Sequence, residues 1–474
     1  MKEKVQPGKK RIRSAKLKDK PVATPSDRQT EVSRRSFLKM AAVAGVGAAF
    51  APWSFAQAKP ITLTYWHGWT GEWTKMVQDV VAAFHAKQDR IRIQPLVVPY
   101  DSLLAKLTAA VAAGNPPDIV TLFGSTAIPT LANQNVLIAL DEIKTADLDQ
   151  AQSWFSPEVY RLGQYKGKTY GLSYWAGAYA FLYNKDHFKA AGFNPDKGPA
   201  TLEELDGMAE KLTQKGAGGR LTRMGFLPNS NGDQVWLFGT GFGGKFYDPT
   251  SGTVTANDPK IVEALTWFQS YAKRYDPKAV ASFQASLANE RATNFDPFIS
   301  GKFSIMSQGP WKLGDLKKFG QGVNFGVVKP PLPKAGAQSY NWTWGDIQVI
   351  PKGSKNPEAA AEFVAFTGGV GDEAGYVKRV TWGNRPINVP VSKKVLKEPD
   401  FMAIVKAFPG FDVYIDSLLN AERVGSPPVM PAAAFYSERM TAAVQKIMLM
   451  QQEPKAAMDE LTKAVQQQLQ MSGK

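Results

Sequence analysis

Two hydrophobic rhythms alternate along this chain. Ile61-Thr62-Leu63-Thr64-Tyr65-Trp66 has the two-residue period of a strand. From about Glu72 to Ala86 the period lengthens, and Met76, Val80, Val81 and Phe84 fall on one face of a helix. Residues 91–98 read as a second strand and 101–113 as a second helix, with Asp101 or Ser102 placed to cap it. Gly114-Asn115-Pro116-Pro117 then breaks the chain before a third strand that opens at Asp118, a structural strand-start residue, and runs to Ser125. Such alternation predicts an α/β fold, a sheet with helices on its faces. Ligands of such sheets gather at the loops leaving the strands' carboxyl ends. Here those loops carry Trp66-His67-Gly68-Trp69 and Phe123-Gly124-Ser125.

The same reading continues downstream. Residues 165–172 predict a hairpin, followed by the aromatic stretch Tyr174-Trp175-Ala176-Gly177-Ala178-Tyr179 and a strand over 180–183. Thr201 opens a helix reaching Leu212, with Glu204 at the capping-box spacing. Residues 225–246 form loop and short helix around Trp236. At Phe303-Ser304-Ile305-Met306-Ser307-Gln308-Gly309-Pro310-Trp311 a strand-like run breaks at Gly-Pro and presents an indole at the start of a helix. Gly309 lets another molecule approach the backbone, and Pro310 fixes the turn. Trp311 is then either a stacking surface at the lip of a sheet or a core residue at an ordinary turn. Further on lie Asn341-Trp342-Thr343-Trp344-Gly345-Asp346, a strand over 347–350, a helix over 357–366 and an aromatic turn, Trp382-Gly383-Asn384-Arg385-Pro386. Residues 390–474 read as mostly helical, the last helix beginning near Pro454. No internal repeat is present.

Charge divides the chain unevenly. Of the net +15, residues 1–58 carry +9, from 13 Lys/Arg and 4 Asp/Glu, so the remainder is only mildly basic and a nucleic-acid reading loses its support. Within that leader, Ser33-Arg34-Arg35-Ser36-Phe37-Leu38-Lys39 precedes an uncharged Ala/Gly-rich segment ending Ala56-Gln57-Ala58. This is the form of a cleavable export signal, and the Arg34-Arg35 pair marks the twin-arginine type. Cleavage is expected after Ala58, which places the mature protein in the periplasm. An uncleaved anchor is the alternative, weakened by Pro52 and low hydrophobicity. There are no cysteines, which excludes disulfides, thiolate metal sites and cysteine nucleophiles. Three scattered histidines argue against a histidine-rich metal site, and no cofactor or metal is expected.

Five pieces in order then resemble the extracellular solute-binding proteins of ABC importers, in the sugar-binding family that includes maltose-binding protein. They are Tyr65-Trp66-His67-Gly68-Trp69, residues 113–120, Tyr183-Asn184-Lys185-Asp186 with Ala191-Gly192-Phe193, residues 301–311, and Ser354-Lys355-Asn356-Pro357-Glu358-Ala359-Ala360. The resemblance implies a two-lobe, type II periplasmic-binding-protein fold with discontinuous lobes and a hinged cleft. Lobe one is placed at 59–176 plus 323–384, lobe two at 177–322 plus 385–474. Closure would trap a solute for membrane permease subunits. Those and the ATPase are separate chains, consistent with the lack of any Gly-x-x-x-x-Gly-Lys-Ser/Thr segment. The protein is expected to be a non-enzymatic monomer that passes through the twin-arginine machinery.

A sugar needs flat indoles for its C–H faces and polar groups for its hydroxyls. Trp69, Trp175, Tyr179, Trp311, Trp344 and Tyr436 are the candidate stacking rings, with Trp311 and Tyr436 placed by the family resemblance. Trp66 is assigned to the core. Phe123 and Ser125 replace a charged pair of maltose-binding protein, which speaks against a maltodextrin ligand. Asp346 and Asn341 are hydroxyl partners, and His67 a polar loop contact. Glu72 either holds hydroxyls or favours its helix N-terminus. Arg385 either forks onto a ligand or forms a surface ion pair. Rival readings are a secreted carbohydrate-active enzyme, needing two opposed carboxylates, and the same fold carrying glycerol phosphate, another phosphorylated polyol or a cationic solute.

Overall fold

The first strand, Ile61–His67, is an interior strand of the larger sheet, and its alternate residues Leu63, Tyr65 and His67 are all buried. In a computed structural model, which describes residues 59–230, 234–291, 296–381 and 388–472, it pairs in parallel with Ile91–Val97 on one side and Ile119–Phe123 on the other. The antiparallel strand Asp346–Pro351 joins next, and Leu137–Ile138 closes the order. Gly171–Ser173 also pairs antiparallel with Asp346–Pro351. A second, antiparallel sheet places Ala180–Asn184 between Ile305–Gln308 and Phe325–Val328. Among the described residues no helix is long and apolar enough to cross a membrane.

Local chemistry accounts for these elements and for their departures from expectation. The helix Glu72–Lys87 buries Met76, Val77, Val81 and Phe84, with Phe84 edge-on to Phe363 of the helix Pro357–Gly368. The second helix starts at Tyr100, behind Pro99, so neither Asp101 nor Ser102 caps it; the Ser102 hydroxyl instead donates to Pro99 O at 3.1 Å. At Thr201 the capping box forms in shifted register. Thr201 Oγ1 accepts from Glu204 N at 3.2 Å, while the Glu204 carboxylate accepts from Ala200 N at 2.7 Å. Asp118 is structural as expected, accepting Thr64 N at 2.9 Å and Ser354 Oγ at 2.8 Å.

Three distant passages of chain meet at one side chain. Asn341, fully buried, accepts from Tyr179 N at 3.0 Å and Trp342 N at 2.8 Å through Oδ1. Its Nδ2 donates to Tyr179 O, Ser417 O and Ser417 Oγ at 2.8–3.0 Å. An amide so committed has nothing left for a ligand, which corrects the expectation that Asn341 binds hydroxyls. Replacing it by alanine strands several buried backbone groups, so Asn341→Ala should cost about 3 kcal/mol of stability. Urea unfolding tests this, with a lower midpoint at unchanged slope as the expected result.

Candidate functional site

Two aromatic groups form where the strand ends and crossing segments converge. The first comes from the loop after Ile61–His67, the end of Ile119–Phe123 and the segment after Gly171–Ser173. Trp69 meets Phe123 edge-on at 5.1 Å, Tyr174 at 5.6 Å and Trp175 at 5.9 Å, with His67 5.8 Å away. Trp175 Nε1 donates to Asp346 Oδ2 at 3.0 Å. In the second group Tyr179 and Trp344 are 4.9 Å apart, and Trp344 meets Trp311 edge-on at 6.1 Å. The short segments 175–179 and 344–346 join the two groups. Trp311, Trp344, Phe123 and Asp346 are half-buried, whereas Trp69, Trp175 and Tyr179 are buried.

Two glycines let the outer indoles settle. A Cβ on Gly177 would stand 2.2 Å from Trp344 Cδ2 and Cε2, so the ring lies against the backbone there. A Cβ on Gly309 would fall 1.9 Å from Trp311 Cζ3. The close approach at Gly309 is therefore made by the chain's own indole, not by another molecule, which corrects the first reading of Gly-Pro-Trp. Trp311 does begin a helix, Trp311–Phe319, behind Pro310. The next residue, the buried Lys312, anchors that helix start by pairing with Asp296, and with Asp315 at 3.3 Å.

Beneath the first group lies a buried polar chain. Tyr65 OH contacts Thr121 Oγ1 at 2.7 Å and Tyr174 OH, and Gln348 Nε2 donates to Tyr174 OH at 2.6 Å. Thr367 Oγ1 donates to Gln348 Oε1. Burial pushes the Tyr65 phenol up to about 12, opposed by its hydrogen bonds, so it remains a protonated partner. Burial also lowers His67 to about 4, leaving the imidazole neutral at pH 7, with Nδ1 unpartnered. For Asp346 burial raises the carboxyl to about 7, against the opposing bond from Trp175.

The other expected residues separate from these groups. Ser125 is buried with an unpartnered hydroxyl. Tyr436 is wholly interior: its hydroxyl donates to Phe246 O at 3.0 Å and its ring meets Trp236 at 5.1 Å. The expectation of a free stacking ring there is corrected, since the packed helix Ala433–Met448 turns Tyr436 inward and leaves Phe435 half-buried beside it. Glu72 starts its helix, but its side chain lies outside the description. Arg385, Arg34 and Arg35 lie outside the described residues. Sequence reading missed Tyr174 and Tyr100. Tyr174 was legible as part of the 174–179 stretch. Tyr100, 5.0 Å from Phe123 and 48% exposed, was hidden by its place in an amphipathic helix. Among the described residues no cluster of three or more acidic, His or Cys side chains could hold a metal.

The profile of one family, the bacterial extracellular solute-binding proteins, matches residues 79–408. The chain belongs to that family. It is a solute-binding protein of the ABC type, not an enzyme. A second profile, for twin-arginine translocation signal sequences, matches residues 31–51 and spans Arg34 and Arg35, so the chain carries a signal for that export route. A binding protein of Brucella abortus is 30% identical over 61% of this chain and 67% of its own length. The maltotriose-binding protein of Pyrococcus abyssi is 26% identical over 65% and 60%. The sn-glycerol-3-phosphate-binding periplasmic protein UgpB of Escherichia coli is 22% identical over 76% and 81%. Among solved structures, CpMnBP1 with mannotriose bound superposes with a TM-score of 0.72 at 27% identity, over 85% of this chain and all of that one. The sugar-binding protein MalE of Xanthomonas citri gives 0.67 at 20% identity, over 86% and 98%, a likeness of fold alone.

The carboxyl beside Trp175 has a measurable signature. The folded value of Asp346, about 7, lies above the roughly 3.9 of an unfolded aspartate. The native state therefore holds the extra proton between those values. This group's contribution to stability is present at acid pH and is lost as pH rises through about 7. His67 runs the other way: its folded value of about 4 lies below the unfolded 6.5, so its contribution is lost as pH falls through that window. Asp346→Asn should accordingly gain stability relative to the parent between pH 5 and pH 8. Denaturation midpoints of both proteins at the two pH values check this.

Proposed function

We propose that the protein captures a neutral sugar or polyol between two lobes and delivers it to membrane permease subunits. The lobes are 59–176 with 323–384, and 177–322 with 385–474, except that Phe325–Val328 pairs with Ala180–Asn184 and so goes with the second lobe's sheet. The twin-arginine signal is removed after Ala58, and the mature monomer works in the periplasm. The observation that carries this reading is a pair of aromatic groups, Trp69, Phe123 and Trp175 in one and Tyr179, Trp311 and Trp344 in the other, tied together through the segments 175–179 and 344–346, with the Asp346 carboxyl bonded to Trp175 of the first. The half-buried rings of Phe123, Trp311 and Trp344 supply faces for C–H groups, with Trp69, Trp175 and Tyr179 packed behind them, and the carboxyl, half-buried and bonded on one oxygen to Trp175, keeps acceptor capacity for a hydroxyl. The mannotriose of one structural neighbour and the maltotriose of one relative support a sugar.

Glycerol phosphate, the ligand named for UgpB, is less well matched. A phosphate calls for guanidinium, ammonium or clustered backbone N–H donors. The partners described for the rings of Trp69, Trp175, Trp311 and Trp344 are other rings and the Asp346 carboxyl, a setting suited to C–H faces and hydroxyls.

A thermal-shift screen with mannotriose, maltotriose, monosaccharides, polyols and glycerol phosphate tests the reading, since a ligand of the native state raises Tm by mass action. The expected result is stabilisation by a neutral sugar or polyol. Stabilisation by glycerol phosphate alone would overturn it. For the sugar that binds, Trp311→Ala and Trp344→Ala should each weaken affinity about tenfold or more in calorimetric titration.

A further inference from the structure

The short helix Ile128–Asn133 follows the Phe123–Ser125 loop directly, and Ser125 O accepts from Ile128 N at 3.1 Å. Its half-buried Thr130 sends its hydroxyl to Pro431 O at 2.5 Å, a contact spanning 301 residues of sequence. Both ends of that bond are held. On one side Ile128, Pro129 and Leu131 are buried, and Asn133 Oδ1 accepts from Tyr165 OH and Lys166 Nζ, each at 3.1 Å. On the other, Ser426-Pro427-Pro428-Val429-Met430-Pro431 is a strap whose three prolines fix φ. Met430 is wholly buried and accepts Ala433 N at 3.0 Å, tying the strap to the start of the helix Ala433–Met448. On the same flank the phenol of Tyr247 is pushed up mainly by burial and in part by neighbouring Tyr165.

We propose that the Thr130–Pro431 hydrogen bond is a latch across the mouth of the cleft, made when the lobes close and broken when they part. This rests on the two-lobe reading above, in which Thr130 belongs to one lobe and Pro431 to the other. The latch differs from ligand contacts in kind. It joins one side-chain donor to a carbonyl on a stiff strap, and it stands one helix away from Phe123. A loop that shifts when a ligand meets Phe123 moves the start of the Thr130 helix with it, so filling of the site and setting of the latch are mechanically linked.

The cysteine-free chain makes the test direct. Cysteines introduced at two exposed lysines, Lys144→Cys and Lys260→Cys, carry spin labels, one in each lobe, and pulsed electron–electron resonance reads their separation without any ligand. The labelled parent should show a shorter and a longer separation. Thr130→Val keeps the shape and removes the donor, and it should cut the short-to-long ratio about fivefold, the worth of one net hydrogen bond. Thr130→Ser, which keeps the hydroxyl, should restore the parent ratio. Unchanged melting of both variants excludes a folding defect. Two separations in the same proportion in parent and Thr130→Val would overturn the latch while leaving the hinge intact. A single separation in parent and variants alike would overturn the latch together with the hinged-cleft reading.

Discussion

Five hydrogen bonds on the carboxamide of Asn341 hold together passages of chain 162 and 76 residues apart. The rest of the site depends on that knot. Tyr179 and Trp342 are its immediate partners, and Trp344 follows two residues later. Only an amide can both accept two backbone N–H groups and donate to carbonyl and hydroxyl oxygens from a single planar end. Aspartate would lose the donors, and leucine would leave the backbone groups buried and unpaired, at a cost greater than the bond itself contributes.

A second constraint lies beneath the first aromatic group. Tyr65, Thr121, Tyr174, Gln348 and Thr367 form a connected polar chain in which phenols, amide and hydroxyls satisfy one another. In a low-dielectric interior such a chain rigidifies what it touches. Tyr174 belongs both to this chain and to the ring group around Trp69. The orientation of the rings in that group is thereby set from below, before any ligand arrives, and less freedom remains to be lost on binding.

The fold was legible because it is written in periodicity. The alternation over 61–66, the helical spacing of Met76 to Phe84 and the Asn115-Pro116-Pro117 break each matched an element within a residue or two. Candidate site residues were legible where an aromatic sits near glycine at a strand end: Trp69 meets Trp175 in one group, and Trp311 meets Trp344 in the other. What sequence could not separate was a polar or aromatic group turned outward from one turned inward. Asn341 and Tyr436 carry the right chemistry for a sugar, yet both are consumed by the interior. Their fate depends on Ser417 and Phe246, partners that only long-range packing brings near. The Asp101 and Ser102 caps failed for a local reason, because the helix had already started behind Pro99.

An indole has two faces, and the glycines decide how many are free. Trp344 rests one face on Gly177 and Trp311 rests one on Gly309. Each ring is therefore a tile backed on one face by its own chain. The two faces of a pyranose present C–H and hydroxyl groups in a pattern set by which hydroxyls are axial, and that pattern differs between epimers. Such a tile accepts the face that is mostly C–H. For a sugar stacked there, as proposed, part of the choice between epimers would arise from two backbone positions that never touch it.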